Sequence, residues 1–273
     1  MNRRLTALAV NAGLWTLAAA TLLPLLWMVS ASFMPTGEAN QLPPRFLPSA
    51  PTLAHYRDLF TRLHIGRAFG NSLLLASAIT LISIVCNSMA GYAFAKLRFR
   101  GRDRLFALLL VTLVVPPQVG VLPLYLELRA LGLVNSYGGV IVAGIATVFG
   151  IFLVRQFALS IPDDLLDAAR VDGASEWRIY WTIVLPALRP ILVTLAVFTF
   201  LSAWNDFMWP LVVLTDESRH TLPVALANLS GEHVQDTELM MAGAVVTVLP
   251  VVLLFLAAQK HYIEGILAGS VKE

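Results

Sequence analysis

The chain is poor in charge and nearly free of cysteine. Only 13% of its 273 residues are Asp, Glu, Lys or Arg, about half the share of an ordinary soluble domain. Cys86 is the single cysteine; this excludes an intramolecular disulfide framework, and its apolar surroundings mark it as a small buried hydrophobe. There is no G-x-x-x-x-G-K-[ST] loop, no H-E-x-x-H and no G-x-S-x-G, so the chain lacks the usual means of hydrolysing ATP, a peptide or an ester. His55, His64, His220, His233 and His261 stand singly in polar segments, without metal-ligand spacing, and no metal site is expected. The 19 basic and 17 acidic residues nearly cancel, to +2, which offers no basic field for nucleic acid.

Apolar residues are abundant instead: 58% of the chain is hydrophobic and the mean hydropathy is +0.74. Such runs are too long for a water-facing core, so the solvent must be lipid. A charge at the bilayer centre costs about 2.5 to 3.5 kcal/mol, and charge-poor intervals of about 20 residues therefore mark spans. Six occur: Arg4 to Glu38, Arg67 to Lys96, Arg104 to Glu127, Arg129 to Arg155, Arg189 to Thr215, and Leu239 to Gln259. The fifth carries one charge, Asp206, after 16 uncharged residues. The first resembles a secretory signal, with Arg3 and Arg4 ahead of it, but its apolar run continues to Phe33 and it is expected to be retained as a helix. The expected fold is an all-α polytopic membrane protein with six transmembrane helices. We take 1–273 as one transmembrane domain, with 68–260 as its core and 1–67 as a first helix plus outer segment.

Basic residues set the orientation. Lys96, Arg98, Arg100, Arg102 and Arg104 crowd between spans two and three, a retention signal for the cytoplasm. Alternation then puts 13 basic residues inside and six outside, an N-in, C-in chain. Trp27, Phe33, Trp204, Phe207 and Trp209 fall near the outer ends of spans one and five, as aromatic belts do. Pro116, Pro117 and Pro123 around Gln118 must break or kink span three. Outside, 35–67 is Pro-rich and then amphipathic, a surface cap. Residues 216–238 are acidic and polar enough to meet a soluble partner or to remain a solvated loop.

The inner segment 160–190 is the most informative. Pro162 with Asp163 and Asp164 starts a helix and Asp172-Gly173 stops it. A second stretch begins near Ser175, and Pro186 and Pro190 punctuate the approach to span five. Leu165, Leu166, Ala168 and Ala169 form an apolar patch with Asp167 and Arg170 at its edge, a knob suited to a partner's groove.

Asp167-Ala168-Ala169, Asp172-Gly173-Ala174, Ile183, Leu185-Pro186 and Pro190 resemble the EAA loop of the membrane subunits of bacterial ABC importers. Asn71-Ser72, Tyr92 to Gly101, Trp204-Asn205-Asp206 and Gln259 to Lys272 extend the likeness to nearly the whole chain, specifically to the shorter permease of maltose-type carbohydrate importers. The resemblance implies a non-catalytic permease subunit in the bacterial cytoplasmic membrane. It forms half of a sugar pathway, beside a second homologous permease, an ATPase dimer that holds ATP and Mg, and an extracytoplasmic binding protein. Leu166, Asp167, Ala168, Ala169, Asp172, Gly173 and Ala174 would couple to the ATPase. Gly269, Ser270, Val271 and Lys272 would form a C-terminal ATPase contact. Asp167 stands where the family usually has Glu, one methylene longer. No cofactor is expected on this chain.

Sugars favour aromatic stacking and amide or carboxylate hydrogen bonds. Trp204, Asn205, Asp206 and Asn87 are therefore the expected pathway residues, although polar residues in spans more often hold helices together. A glycerol 3-phosphate or polyol permease of the same family is the alternative, and a self-contained secondary transporter a more remote one, since Asp206 is the only ionisable group inside a span.

Overall fold

A computed structural model describes residues 3–232 and 236–270, which are helical and contain no strand. The chain divides into two compact units. One holds residues 1–66 and 225–250; the other holds 67–224 and 251–273.

In the first unit α1 (Arg3–Ala31) contains the apolar stretch Val10–Ala31, most of which is exposed, while its last residue Ala31 is buried. The segment that follows folds against the end of this helix. Trp27 Nε1 donates to the Arg45 carbonyl at 3.1 Å, and the nearly buried Glu38 carboxylate accepts from Ser49 N at 3.0 Å and Arg45 Nη1 at 3.3 Å. Within α2 (Ala54–Thr61), His55 is buried and bonded to the Met34 carbonyl. This histidine is part of the fold, not of a solvent segment as its polar neighbours suggested. Thr237 opens α14 (Thr237–Ser270), and Glu238 in its first turn accepts from Ala39 N at 2.7 Å. The cap expected at 35–67 is thus stitched to the start of the last helix by side chains satisfying backbone groups.

The second unit carries α3 (Ile65–Lys96), α4 (Arg102–Thr112), α5 (Val121–Ala130), α6 (Tyr137–Gly144), α7 (Val148–Ala158), α8 (Asp163–Val171), α9 (Glu176–Ile179), α10 (Leu185–Ala187), α11 (Arg189–Trp204) and α12 (Met208–Val213). Then α13 (Leu222–Glu232) follows. Helical structure replaces the polar loop expected over much of 216–238, because Leu222 and Val224 bury their side chains.

Among the described residues three helices are long and apolar enough to cross a membrane: Val10–Ala31, Ile65–Lys96 and Thr237–Ala257. Three bent pairs bring the number to as many as six if each is one span: 102–112 with 117–130 at 97°, 137–144 with 148–158 at 41°, and 176–187 with 189–204 at 77°. Pro116-Pro117 explains the first bend and Pro186 with Pro190 the third, since each proline lacks an N–H for the ladder. At the second bend Thr147 Oγ1 accepts from Gly150 N at 3.0 Å, so the new helix starts on a side-chain cap. The fifth apolar interval is not one helix either. It stops at Trp204 and restarts at Met208.

Close approach depends on small residues. A Cβ on Gly91 would lie 2.6 Å from Val154 Cγ1, so α3 and α7 touch only because that atom is missing.

Candidate functional site

The helix expected at 163–171 is present. Pro162 precedes it, Asp163 and Asp164 occupy its first turn, and the chain turns at Gly173 with φ of +80°. Gly173 N donates to Arg170 O at 3.0 Å and Ala174 N to Ala169 O at 2.9 Å. These two bonds form a Schellman cap, and its left-handed position suits glycine. Ser175 then caps α9 by accepting from Arg178 N.

The orientation of α8 differs from the sequence reading in one respect. Leu166 is 1% exposed and faces the chain's own core, while Ala169 and Ala174 pack half-buried against it. The outward face is instead Leu165, Ala168 and Val171, flanked by Asp164, Asp167 and Asp172. Leu166 belongs to the same buried cluster as Tyr92, Val154, Ile179 and Val184.

A polar relay fastens the helix. Tyr92 Oη donates to Glu176 Oε2 at 2.7 Å; Arg170 Nε donates to Glu176 Oε1 at 2.8 Å and its Nη1 to Asp167 Oδ1 at 2.6 Å. The bonds to Glu176 and then Asp167 push the Arg170 guanidinium above its ordinary value. At the other end Lys96 Nζ donates to Ile161 O at 2.6 Å and Asp163 Oδ1 at 2.7 Å. Lys96 holds the Asp163 carboxyl below its usual range. Tyr92, Arg170 and Glu176 escape sequence reasoning as a set, because 84 residues separate the hydroxyl from its acceptor.

A cavity of about 730 Å³ lies in the same unit, bordered by helix breaks. Pro117 and Gln118 come from the first bend, Gly144 and Thr147 from the second, and Ser202 and Asp206 from the end of α11. Irregular backbone at membrane depth is tolerated where it lines a cavity. Thr199 and Trp209 add a hydroxyl and an indole, and Leu195 an apolar wall. Among the described residues Asp206 is the only acidic or basic one in the lining. Its Oδ1 accepts from Trp209 N at 3.3 Å.

Of the four expected pathway residues only Asp206 lines this cavity. Trp204 is fully buried, stacked on Phe200 at 5.9 Å and edge-on to Phe69 at 5.5 Å. Asn205 is exposed and bonds back to Leu201 O. Asn87 is buried; its Nδ2 donates to Ser83 Oγ at 2.7 Å and its Oδ1 accepts from Thr147 N at 3.0 Å. It fastens α3 to the second break, the helix-holding role that polar residues in spans commonly play. Thr147 and Thr199 were missed, and Ser202 was open between lining a path and holding helices together; hydroxyls in apolar runs carry no signal of which way they face. Cys86 is half-buried. Gly269 and Ser270 end α14, whereas Val271 and Lys272 lie outside the described residues.

A family model described as binding-protein-dependent transport system inner membrane component matches residues 87–266. The arabinooligosaccharides transport system permease protein AraQ of Halalkalibacterium halodurans is 39% identical over 252 residues, 91% of this chain and 90% of that protein. A crystal structure of a bacterial ABC transporter involved in the import of the acidic polysaccharide alginate contains a chain that superposes with a TM-score of 0.84. It is 25% identical and covers 96% of this chain and 99% of the other. A bacterial alginate ABC transporter in complex with an alginate pentasaccharide-bound periplasmic protein matches at TM-score 0.67 and 16% identity, over 93% and 92% of the two chains.

Proposed function

The chain belongs to the family of binding-protein-dependent transport system inner membrane components, and from that premise we propose that it is a permease subunit of an ATP-driven importer of neutral oligosaccharides. Permeases of this kind are non-catalytic, and ATP with Mg is held by a separate cytoplasmic ATPase dimer. A second homologous permease completes the pathway in the bacterial inner membrane, and an extracytoplasmic binding protein delivers the sugar. Each bent pair is one span, which makes six, with both termini cytoplasmic.

One observation carries the reading. Leu166 of α8 and Leu195 of the cavity wall belong to a single buried cluster. A push on α8 by a docked ATPase therefore reaches the cavity through close-packed side chains, which transmit strain because they compress little. Leu165, Ala168 and Val171 would enter the ATPase groove, with Asp167, Asp172, Gly173 and Ala174 shaping the knob. Gly269, Ser270, Val271 and Lys272 are proposed as a second ATPase contact. Relatives supply the sugar class: AraQ is named for arabinooligosaccharides. The absence of any basic residue from the cavity lining, beside the Asp206 carboxylate, favours a neutral solute over glycerol 3-phosphate or an acidic sugar.

The test is uptake by proteoliposomes holding both permeases, the ATPase and the binding protein. ATP-dependent accumulation of a neutral oligosaccharide is expected, with Ala168→Cys cross-linking to the ATPase in a Cys86→Ala background. Uptake of anionic solutes alone refutes the sugar class. Uptake by this chain without an ATPase refutes the importer reading.

A further inference from the structure

The hairpin between α3 and α4 is not used by the coupling or the pathway just described. It encloses a cleft of about 890 Å³ lined by Arg98, Phe99, Arg100, Gly101 and Arg104, together with Arg102 and Asp103. The neighbouring cations are occupied. Lys96 is bound to Ile161 O and Asp163, and Arg102 to Asp103 at 3.1 Å and to Leu97 O. Arg155 donates to Phe94 O and sits over the Phe106 ring. Among the described residues Arg98, Arg100 and Arg104 form no hydrogen bond or ion pair, and all three are exposed. Asp163 attracts Arg98 at a distance while bonded to Lys96, and Asp103 is engaged by Arg102; neither carboxylate bonds Arg98, Arg100 or Arg104, so an entering anion would relieve their mutual repulsion.

What distinguishes the anion is the surface beside it. Phe99 is exposed next to the arginines, and from the arginines α4 presents Leu105, Leu108 and Val111 outward at 49%, 63% and 63% exposure. Spaced three apart, they form an apolar strip along one side of the helix. Eleven residues give α4 a length of about 16 Å, the order of an acyl chain. The cleft also sits between the end of the apolar window Ile65–Lys96 and the start of a bent membrane pair, at the depth where headgroups lie. A phosphate bound by guanidiniums, joined to a hydrocarbon lying on an apolar helix face, is the chemistry of an anionic phospholipid.

We propose that Arg98, Arg100 and Arg104 form a headgroup site for an anionic phospholipid of the inner leaflet, whose acyl chain lies along Leu105, Leu108 and Val111 of α4. The proposal rests on the orientation given above, which puts this hairpin on the cytoplasmic side. Each arginine near such a surface contributes about fivefold in affinity.

The assembled complex in nanodiscs containing a photoreactive phosphatidylglycerol tests this directly, and the wild-type map needs no variant. Cross-links are expected in the peptide spanning 98–111, unaffected by excess inorganic phosphate, and weaker by about fivefold in each of Arg98→Gln, Arg100→Gln and Arg104→Gln. No label on that peptide overturns the proposal, as does label unchanged by all three substitutions. Loss of label to inorganic phosphate overturns it in favour of a soluble-anion site, and a protein cross-link from Phe99 or Leu108 to another subunit overturns it in favour of a subunit contact. Gly101→Cys in a Cys86→Ala background reports orientation separately: labelling by an impermeant maleimide from outside refutes the topology, whatever the lipid result.

Discussion

Arg170 donates to Glu176 Oε1 at 2.8 Å, across the turn that ends α8. Glu176 also accepts from Tyr92, and Arg170 also holds Asp167. Two ion pairs that share Arg170, and the hydrogen bond from Tyr92, therefore tie the outward carboxylate of α8 to the end of α3. Here Asp167 is bound by its own chain, which its shorter side chain permits at spacing i, i+3.

Glu176→Gln keeps the shape of the side chain and removes its charge. Both partners are more than a third exposed, so the stability lost is about 1 kcal/mol or less. Coupling should suffer more than folding. We expect normal assembly with a several-fold fall in sugar uptake per ATP hydrolysed, measured side by side in proteoliposomes; unchanged stoichiometry contradicts a coupling role for the relay.

Gly173→Val should cost about 1 to 2 kcal/mol, because a branched side chain must hold a left-handed backbone. The Schellman cap would open and α8 would lose its register. Gly173→Asn tolerates that backbone and should retain most substrate-stimulated ATPase activity. Equal activity in the two variants would falsify the turn-based account.

Gly91→Ala places a methyl 2.6 Å from Val154 Cγ1 and 3.0 Å from Arg155 N. Overpacking of this kind costs about 1 to 3 kcal/mol. Val154→Ala in the same chain removes Cγ1 but leaves Val154 Cβ 2.7 Å from the new methyl, so it should recover only a small part of the loss, and the two changes are non-additive. Thermal unfolding of the four purified forms of the complex measures the cycle.

Asn87→Ala removes the acceptor for Thr147 N and the donor to Ser83. Polar bonds between membrane helices average about 0.6 kcal/mol and reach about 1.7. The substitution should lower the unfolding temperature with little change in sugar selectivity, whereas Ser202→Trp, which fills the cavity, should block uptake and leave stability nearly intact. Reversed outcomes would exchange the roles assigned to the two residues.

The Asp163 carboxyl is depressed by the hydrogen bond from Lys96. A depressed carboxylate favours the folded form above its unfolded value, and that contribution disappears as the pH falls through the lower, folded value. The anchoring of α8 should therefore loosen only in distinctly acid solution. In Lys96→Gln the Asp163 titration should move back toward the ordinary carboxylate range, followed by hydrogen exchange of the 163–171 amides as a function of pH.

Much of this molecule is legible from windows of ten to thirty residues. The lipid environment follows from the lengths of the apolar intervals, since a charge in hydrocarbon is costly wherever the chain goes. The helix α8 follows from Pro162 at one end and Gly173 at the other, because capping is settled by adjacent backbone groups. Tertiary structure alone decided which way side chains turn. Leu166 faces inward, into the buried cluster that also holds Tyr92, Val154 and Ile179. Trp204 packs against the rings of Phe69 and Phe200, and Asn87 bonds Thr147, 60 residues away. Those choices depend on neighbours that become adjacent only when the helices pack, so no local pattern encodes them.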